Sequence, residues 1–375
     1  MSKALRTLCC LLVGVFALIS LAVAEPWQER LYVNGFYTVD YTYTDEDIGL
    51  VSNNKKPRAY DDDANGLENS LLGAQLEFEI NENLSVFAQG KVSFSADNNA
   101  STALDWAYGS FDLGSDSQLR VGKFQTPFLQ GTELRNIGYT RIWARPLIPE
   151  DGASGFNQYL GVEYLKRFNQ GLGNWQIQLA AGIGDHEERE IESRNLELVA
   201  LRYQYQNFWL RSAFLHGEYA IEDGDGQRIT FSGNVIMASL EGELDLSWCV
   251  INAGYSSSLS DITDDDTIYY VSLGFPMGRF TPFIYTAKRN RHFEAYDPPP
   301  PPPPLGGGPP PPPQPPPVGD HDVNSVAAGV SWRLSERYGV KFQLENIVQN
   351  NRAGADTSAP ANDGNTVSIL FEGVF

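Results

Sequence analysis

The feature that most constrains this chain is a two-residue alternation sustained over segments longer than ordinary strands. In residues 31–44, LYVNGFYTVDYTYT, one parity holds Leu31, Val33, Gly35, Tyr37, Val39, Tyr41 and Tyr43. The other holds Asn34, Thr38, Asp40, Thr42 and Thr44. A period of two is the signature of a strand with one apolar and one polar face. It recurs at 72–80, 84–94, 326–334 and 340–345, where Lys341, Gln343 and Glu345 take the polar parity. Reading the whole chain this way predicts strands over 31–44, 69–80, 83–95, 102–113, 117–124, 158–168, 173–184 and 194–205. The series continues over 207–217, 228–242, 244–258, 266–276, 279–290, 322–334, 337–349 and 364–375. That is about sixteen strands, an even number, and most have the roughly 9–11 residues that a tilted strand needs to cross a bilayer. Strands of soluble domains average roughly 5–6.

The connections repeat the signal independently. Outer gaps, most of them long (45–68, 96–101, 125–157, 185–193, 218–227, 259–265, 291–321, 350–363), alternate with short ones such as NEN at 81–83, GSDS at 114–117, PMGR at 276–279 and SER at 335–337. A membrane barrel with both ends at its inner side has this asymmetry. The long gaps carry the acidic runs TDEDIG, YDDDANG, DHEEREIE and DITDDDT, which read as solvated loops. Residues 291–321 include DPPPPPPPLGGGPPPPPQPPPVGD, a polyproline coil broken by glycine, expected to project from the outer side.

The first 24 residues predict a secretory signal peptide. Lys3 and Arg6 precede an apolar core, and Ala22-Val23-Ala24 forms an A-x-A cleavage site. The remainder, 25–375, reads as one barrel domain. Cys9 and Cys10 fall inside the apolar core, so Cys249 stands alone and disulfides are not expected to hold the fold. With 47 acidic against 27 basic residues and a net charge of −20, the chain is a poor nucleic-acid partner. No stretch of the remainder has the roughly 18 consecutive apolar residues of a membrane helix. A chain of this kind still enters a bilayer if its strands close on themselves, because a closed ladder bonds every backbone amide within the protein. The terminal segment VSILFEGVF then has a place. Its last strand pairs with the first, and Phe375 joins an interfacial aromatic girdle.

With these features assembled, the chain resembles the Gram-negative porin superfamily. The resemblance rests on the leader, the sixteen amphipathic strands, the long third outer gap and the final Phe. The segments LRVGKFQTPF at 119–128 and YTRIWARPLIP at 139–149 are also similar to porin sequence around the third loop. It implies an all-β, transmembrane antiparallel barrel of about 16 strands with a long third outer loop folded inward. It further implies an outer-membrane location amid lipid, a homotrimer, and passive diffusion of ions and small polar solutes. Phe371 and Phe375 resemble the barrel-assembly recognition signal of outer-membrane proteins. The third loop, 125–157, is the candidate constriction and contains Glu133, Arg135, Arg141, Arg145, Glu150 and Asp151. Lys91, Asp105, Arg120, Arg202 and Arg211 fall on polar strand faces and are candidates for the lumen wall, its basic members extending a basic surface. Opposed charges at a narrow point orient polar solutes and bias ion choice. The usual acidic loop motif is missing, and an arginine-bearing loop points to weak anion preference or none.

Two other functions compete. A plugged structural or adhesin-type barrel would use the proline projection for surface contact. An outer-membrane hydrolase would need a Ser–His or Asp–His constellation. The four histidines, His186, His216, His292 and His321, lie outside any nucleophile motif, and His216 reads as an interfacial residue. The sequence calls for no cofactor and no metal site.

Overall fold

In the computed structural model, the residues described are 29–45, 48–50, 58–60, 70–94, 100–129, 136–144, 158–184, 191–221, 231–260, 265–293, 319–351 and 363–375. Their strands, in chain order, are β1 (Leu31–Thr44), β2 (Ile48–Leu50), β3 (Arg58–Tyr60), β4 (Leu71–Asn81), β5 (Leu84–Phe94) and β6 (Ala100–Gly114). Next come β7 (Ser117–Gln125), β8 (Gln158–Gln170), β9 (Gly173–Gly184), β10 (Ile191–Tyr205), β11 (Phe208–Ile221) and β12 (Phe231–Asp245). The last six are β13 (Val250–Ser260), β14 (Asp265–Gly274), β15 (Phe280–Phe293), β16 (Gly319–Arg333), β17 (Tyr338–Asn351) and β18 (Gly364–Val374). Sixteen of them form a closed barrel in which each pairs antiparallel with its chain neighbour, and β1 closes the ring against β18. The short strands β2 and β3 pair with each other in the first outer gap, where the alternation predicted none. The leader at 1–24 and most of the proline-rich gap (294–318) lie outside the described residues.

Burial runs opposite to that of a water-soluble protein. On β1, Val39, Tyr41 and Tyr43 are 46–49% exposed, while Asp40, Thr42 and Thr44 are 1–5% exposed. On β17, Phe342 and Leu344 face outward and Lys341, Gln343 and Glu345 are buried. The apolar parity therefore forms the outside of the cylinder and the polar parity its inside. This arrangement is stable only if the outside meets hydrocarbon, since the closed ladder leaves no backbone group in need of water.

The strands match the alternation to within a few residues, with one larger displacement. A break at 242–244 was expected between β12 and β13, but β12 runs on to Asp245 and β13 begins at Val250. The chain reverses over 246–249. Ser247 takes φ 69°, its amide donates to Asp245 Oδ1 at 2.7 Å, and the Leu246 amide donates to the Cys249 carbonyl at 2.9 Å. Cys249 itself is a buried free thiol in this turn. Alternation also fails as a guide to polarity on β10–β12. Leu198, Leu215 and Met237 are fully buried on the inner parity, while Val199, Phe214 and Ile236 are exposed on the outer one. Both faces of this sector are apolar.

A glycine lies in the closing seam. Phe375 and Gly35 exchange backbone hydrogen bonds of 2.8 and 2.9 Å, and the Phe375 ring lies across the place where a Gly35 side chain would stand. A Cβ there would sit 2.1 Å from the ring. Tyr37 packs beside this clasp against Phe371 at 5.7 Å. At the outer end of the seam, Asp45 accepts hydrogen bonds from the Asn365 side chain (2.7 Å) and backbone amide (2.6 Å). The side-chain bond first, and the backbone bond after it, hold the Asp45 carboxyl below the ordinary carboxylate range.

Two substitutions test this arrangement. Leu344→Arg puts a charge on the outer face near mid-strand and should cost about 2–4 kcal/mol, read from urea unfolding in lipid vesicles; an unchanged midpoint would mean that this face does not meet hydrocarbon. Gly35→Ala should push aside the exposed Phe375 ring, whose far edge is all that a Cβ there would meet, and change stability by no more than about 0.5 kcal/mol; a markedly lower temperature for loss of the folded band on a detergent gel would mean that the ring cannot move.

Candidate functional site

The short connections, among them 115–116, 206–207 and 334–337, mark one end of the barrel, and the long gaps mark the other. The third long gap leaves β7 at the outer end, and its described parts, 126–129 and 136–144, turn into the lumen. At its root, Arg211 on β11 donates to the Phe128 carbonyl at 2.8 Å and also to the Pro127 carbonyl. Ser239 on β12 donates to the same Phe128 carbonyl at 2.8 Å. Phe128 and Leu129 pack into the apolar inner sector formed by residues such as Leu198, Leu215 and Met237. That sector is greasy on both faces because the loop needs an apolar seat there.

The loop next meets the opposite wall. Asn136 donates to Asp105 Oδ2 at 2.9 Å and accepts from Lys91 at 3.2 Å. A single 3-10 turn follows over Gly138–Thr140. There Lys341 Nζ donates to the Gly138 carbonyl at 2.6 Å and pairs with Glu372 at 2.6 Å, both side chains being almost wholly buried. Tyr139 Oη donates to the carbonyl of Ser335, which lies in a short connection. The loop thus descends from the outer rim to the inner mouth. It rises again with Trp143 against Tyr285 at 5.7 Å, and the Ala144 amide donates to Gln343 Oε1 at 3.0 Å.

Of the six residues proposed for the constriction, Arg141 is described, while Glu133, Arg135, Arg145, Glu150 and Asp151 lie outside the described residues. Arg141 stands just past the 3-10 turn, its backbone amide donating to the Gly138 carbonyl at 2.9 Å. It is close enough to Lys341 and Glu372 to act on both electrostatically.

The wall candidates do not form the basic surface expected of them. Lys91 pairs with Asp105 at 3.0 Å, Arg120 with Glu163 at 3.6 Å, and Arg211 with Glu241 at 3.4 Å. Arg202 lies across from Arg211 in the ladder, with its guanidinium 5.2 Å from the Trp209 ring centroid. Farther round, Arg289 makes a two-pronged contact to Asp266, and Arg291 reaches the same carboxylate at 3.6 Å. Among the described residues, Lys91, Arg120, Arg211, Arg289 and Arg291 are each matched by a carboxylate, because an isolated ion on a partly dry wall loses more solvation than it regains. Asp105 gains its position from a β-bulge: Gln89 faces Trp106 and Gly90 faces Leu104, which leaves Asp105 as the extra residue.

A row of inward rings crosses four strands. Phe87 stacks on Tyr108 at 5.2 Å, Tyr108 on Phe124 at 5.1 Å, and Phe124 on Tyr159 at 5.2 Å. Trp106 joins at 5.5 Å, and Arg120 lies 5.3 Å from the Tyr108 ring centroid. Below the row, Gly122, Gly161 and Gly182 stand side by side on β7, β8 and β9. A Cβ at Gly161 would lie 2.1 Å from the Ala181 carbonyl oxygen, and one at Gly182 would lie 2.8 Å from the Tyr159 ring. The strands approach closely here, and the aromatic side chains lie over the bare backbone.

Sequence reasoning missed Ser239, Lys341, Trp143, Glu372 and the ring row as parts of this site. Only parity was available to find them, and Lys341 does fall on the polar parity of its strand. Outside the site, His216 is on the outer parity of β11, across from Glu197 and Ile236.

Comparison with known proteins supports the fold. No protein-family model matches the chain, and no curated protein matches it either. Solved structures do. The outer membrane channel DcaP of Acinetobacter baumannii is similar with a TM-score of 0.60 and 13% identity, over 92% of this chain and 97% of that one. An anion-selective porin from Comamonas acidovorans matches with a TM-score of 0.59 and 11% identity, over 92% and 99%. OmpT, an outer membrane protein of Vibrio cholerae, matches in its trimer form with a TM-score of 0.57 and 10% identity, over 92% and 99%. The chain has a Gram-negative porin-type fold.

The loop anchorage yields a prediction. Lys341→Ala leaves the Glu372 charge buried without its cation and removes the donor to Gly138, a change expected to cost about 3–5 kcal/mol. Hydrogen exchange should quicken at 138–144 while β8–β12 stay protected; equal exchange in both proteins would mean that the ion pair does not hold the loop.

Proposed function

We propose that this chain is an outer-membrane porin: a water-filled channel through which ions and small hydrophilic solutes diffuse passively, narrowed by its arginine-bearing third loop. The observation that carries this reading is the inverted cylinder with a third loop bonded to opposite inner walls. An inner surface lined by ion pairs suits water and polar solutes, whereas an apolar solute entering it would lose hydration without recompense. Arg141 beside the buried Lys341–Glu372 pair would face the narrowed path; Glu133, Arg135, Arg145, Glu150 and Asp151, which lie outside the described residues, are the other charges the loop carries. Because the wall charges pair off, selectivity falls to the loop, and weak anion preference or none follows. That one fold neighbour is an anion-selective porin agrees with this expectation. A homotrimer in the outer membrane of a Gram-negative bacterium, reached by way of a cleaved leader, completes the proposal.

A second reading draws on the depth at which inward groups such as Glu163 and Ser272 are buried, each 0% exposed. A barrel plugged by its own loops and used for surface contact would show the same depth. Planar-bilayer recording separates the two: a porin gives steady open steps, and a plugged barrel stays silent. In a salt gradient, Arg141→Ala should move the reversal potential toward cation preference. A clear cation preference that the substitution leaves unchanged would sink the anion assignment.

A further inference from the structure

We propose that a cavity at the inner mouth, between the closing seam and the lowest turn of the third loop, is a binding site for a free apolar α-amino acid in its zwitterionic form. The site goes beyond the channel reading and does not need the barrel to conduct. The cavity holds about 250 Å³ and is bounded in part by Phe36, Ile137, Arg337, Val374 and Phe375. Sites for drug-sized ligands run to roughly 300–1,000 Å³, so this one suits a smaller solute. Its walls are fixed from several sides. The Ile137 carbonyl accepts from the Thr140 amide at 3.1 Å and from the Thr140 hydroxyl at 2.7 Å. Tyr139 ties the same turn to the Ser335 carbonyl at 2.9 Å, in the connection that carries Arg337. The Arg337 amide donates to Ser335 Oγ at 3.1 Å, and the Arg337 carbonyl accepts from the Val374 amide at 2.9 Å. The Phe36 ring lies across the bare backbone of Gly73.

Two opposite charges line this cavity without pairing. Arg337 is exposed, and among the described residues its side chain makes neither an ion pair nor a hydrogen bond. Gly35 and the Phe375 ring belong to the outer face, so what Phe375 offers the cavity is main chain. That main chain is the terminal carboxylate, and one of its oxygens accepts from the Gly35 amide at 2.8 Å. The surface beside the two charges is apolar: Ile137 and Val374 are half-buried, with Phe36 behind them. An α-amino acid carries the complementary set, a carboxylate for the guanidinium, an ammonium for the terminal carboxylate and a side chain for the apolar wall. Hydrogen bonds between charged groups are the stronger kind, and burial of the side chain adds to them. Selection against near relatives follows from the same charges. A plain carboxylic acid meets the terminal carboxylate with nothing to offer it, and a plain amine meets Arg337 in the same way.

The full chain, folded in detergent micelles, provides the test, with L-leucine as probe and calorimetric titration as readout. Leucine should bind saturably. Its methyl ester lacks the carboxylate, N-acetylleucine lacks the ammonium, and glycine lacks the side chain. Each should bind about tenfold more weakly than leucine, the value of one charged contact or one buried side chain. Arg337→Gln should weaken leucine about tenfold and leave the methyl ester unchanged, a difference that a folding defect does not produce. Ile137→Ala should weaken leucine about three- to tenfold and narrow its margin over glycine. No saturable leucine binding, equal binding of leucine and any of the three analogues, or an affinity that Arg337→Gln leaves unchanged would overturn the site. The readout uses no current. A barrel that stays silent in bilayers overturns the channel reading and leaves this site standing, and failure to bind leucine leaves the channel standing.

Discussion

Every other feature of this molecule depends on the need to bond all backbone amides and carbonyls within the protein where no water can reach them. Antiparallel pairing meets this need strand by strand, but a flat sheet leaves two open edges. Here the edges are joined: β1 pairs with β18 from Phe36 opposite Val374 to Thr44 opposite Thr366. Once the ladder is closed, the side chains are free to sort themselves by solvent, tyrosine and leucine outward and charge inward. The polarity of the cylinder is thus a consequence of its closure.

Closure also creates an interior that must be furnished. The inner wall is divided by chemistry: apolar sectors on β10–β12 and on β14–β17, an aromatic row on β5–β8, and ion pairs distributed over most of the circumference. The third loop uses all three. It seats Phe128 in the apolar sector, bonds Asn136 to the Lys91–Asp105 pair, and is gripped at Gly138 by Lys341. A loop held at several distant points behaves as part of the wall, so its position is set by the barrel more than by its own backbone preferences.

How much of this was legible in the sequence follows from the range of each interaction. A strand announces itself through neighbours two residues away, and turns rich in Gly, Asn and Ser interrupt that period visibly. The reversal at 246–249 was displaced because ELDLSW keeps alternating straight through it. The bulge at Asp105 and the apolar inner face of β10–β12 were invisible for a related reason: parity says which side a residue faces but not what it meets there. The loop contacts are the extreme case. Phe128 meets Arg211 and Ser239 across 83 and 111 positions of sequence, and Gly138 meets Lys341 across 203. Pairings of that span carry no local signature.

The three adjacent glycines on β7–β9 bear on how a lineage of such proteins can change. At Gly161 the obstacle to any larger residue is the main chain of the next strand, which cannot step aside without tearing the sheet. That quadrant is therefore frozen in calibre. Descendants that adapt to new solutes must do so by rewriting the loop or the opposite quadrants, and the bare strip should persist among them as a fixed reference line.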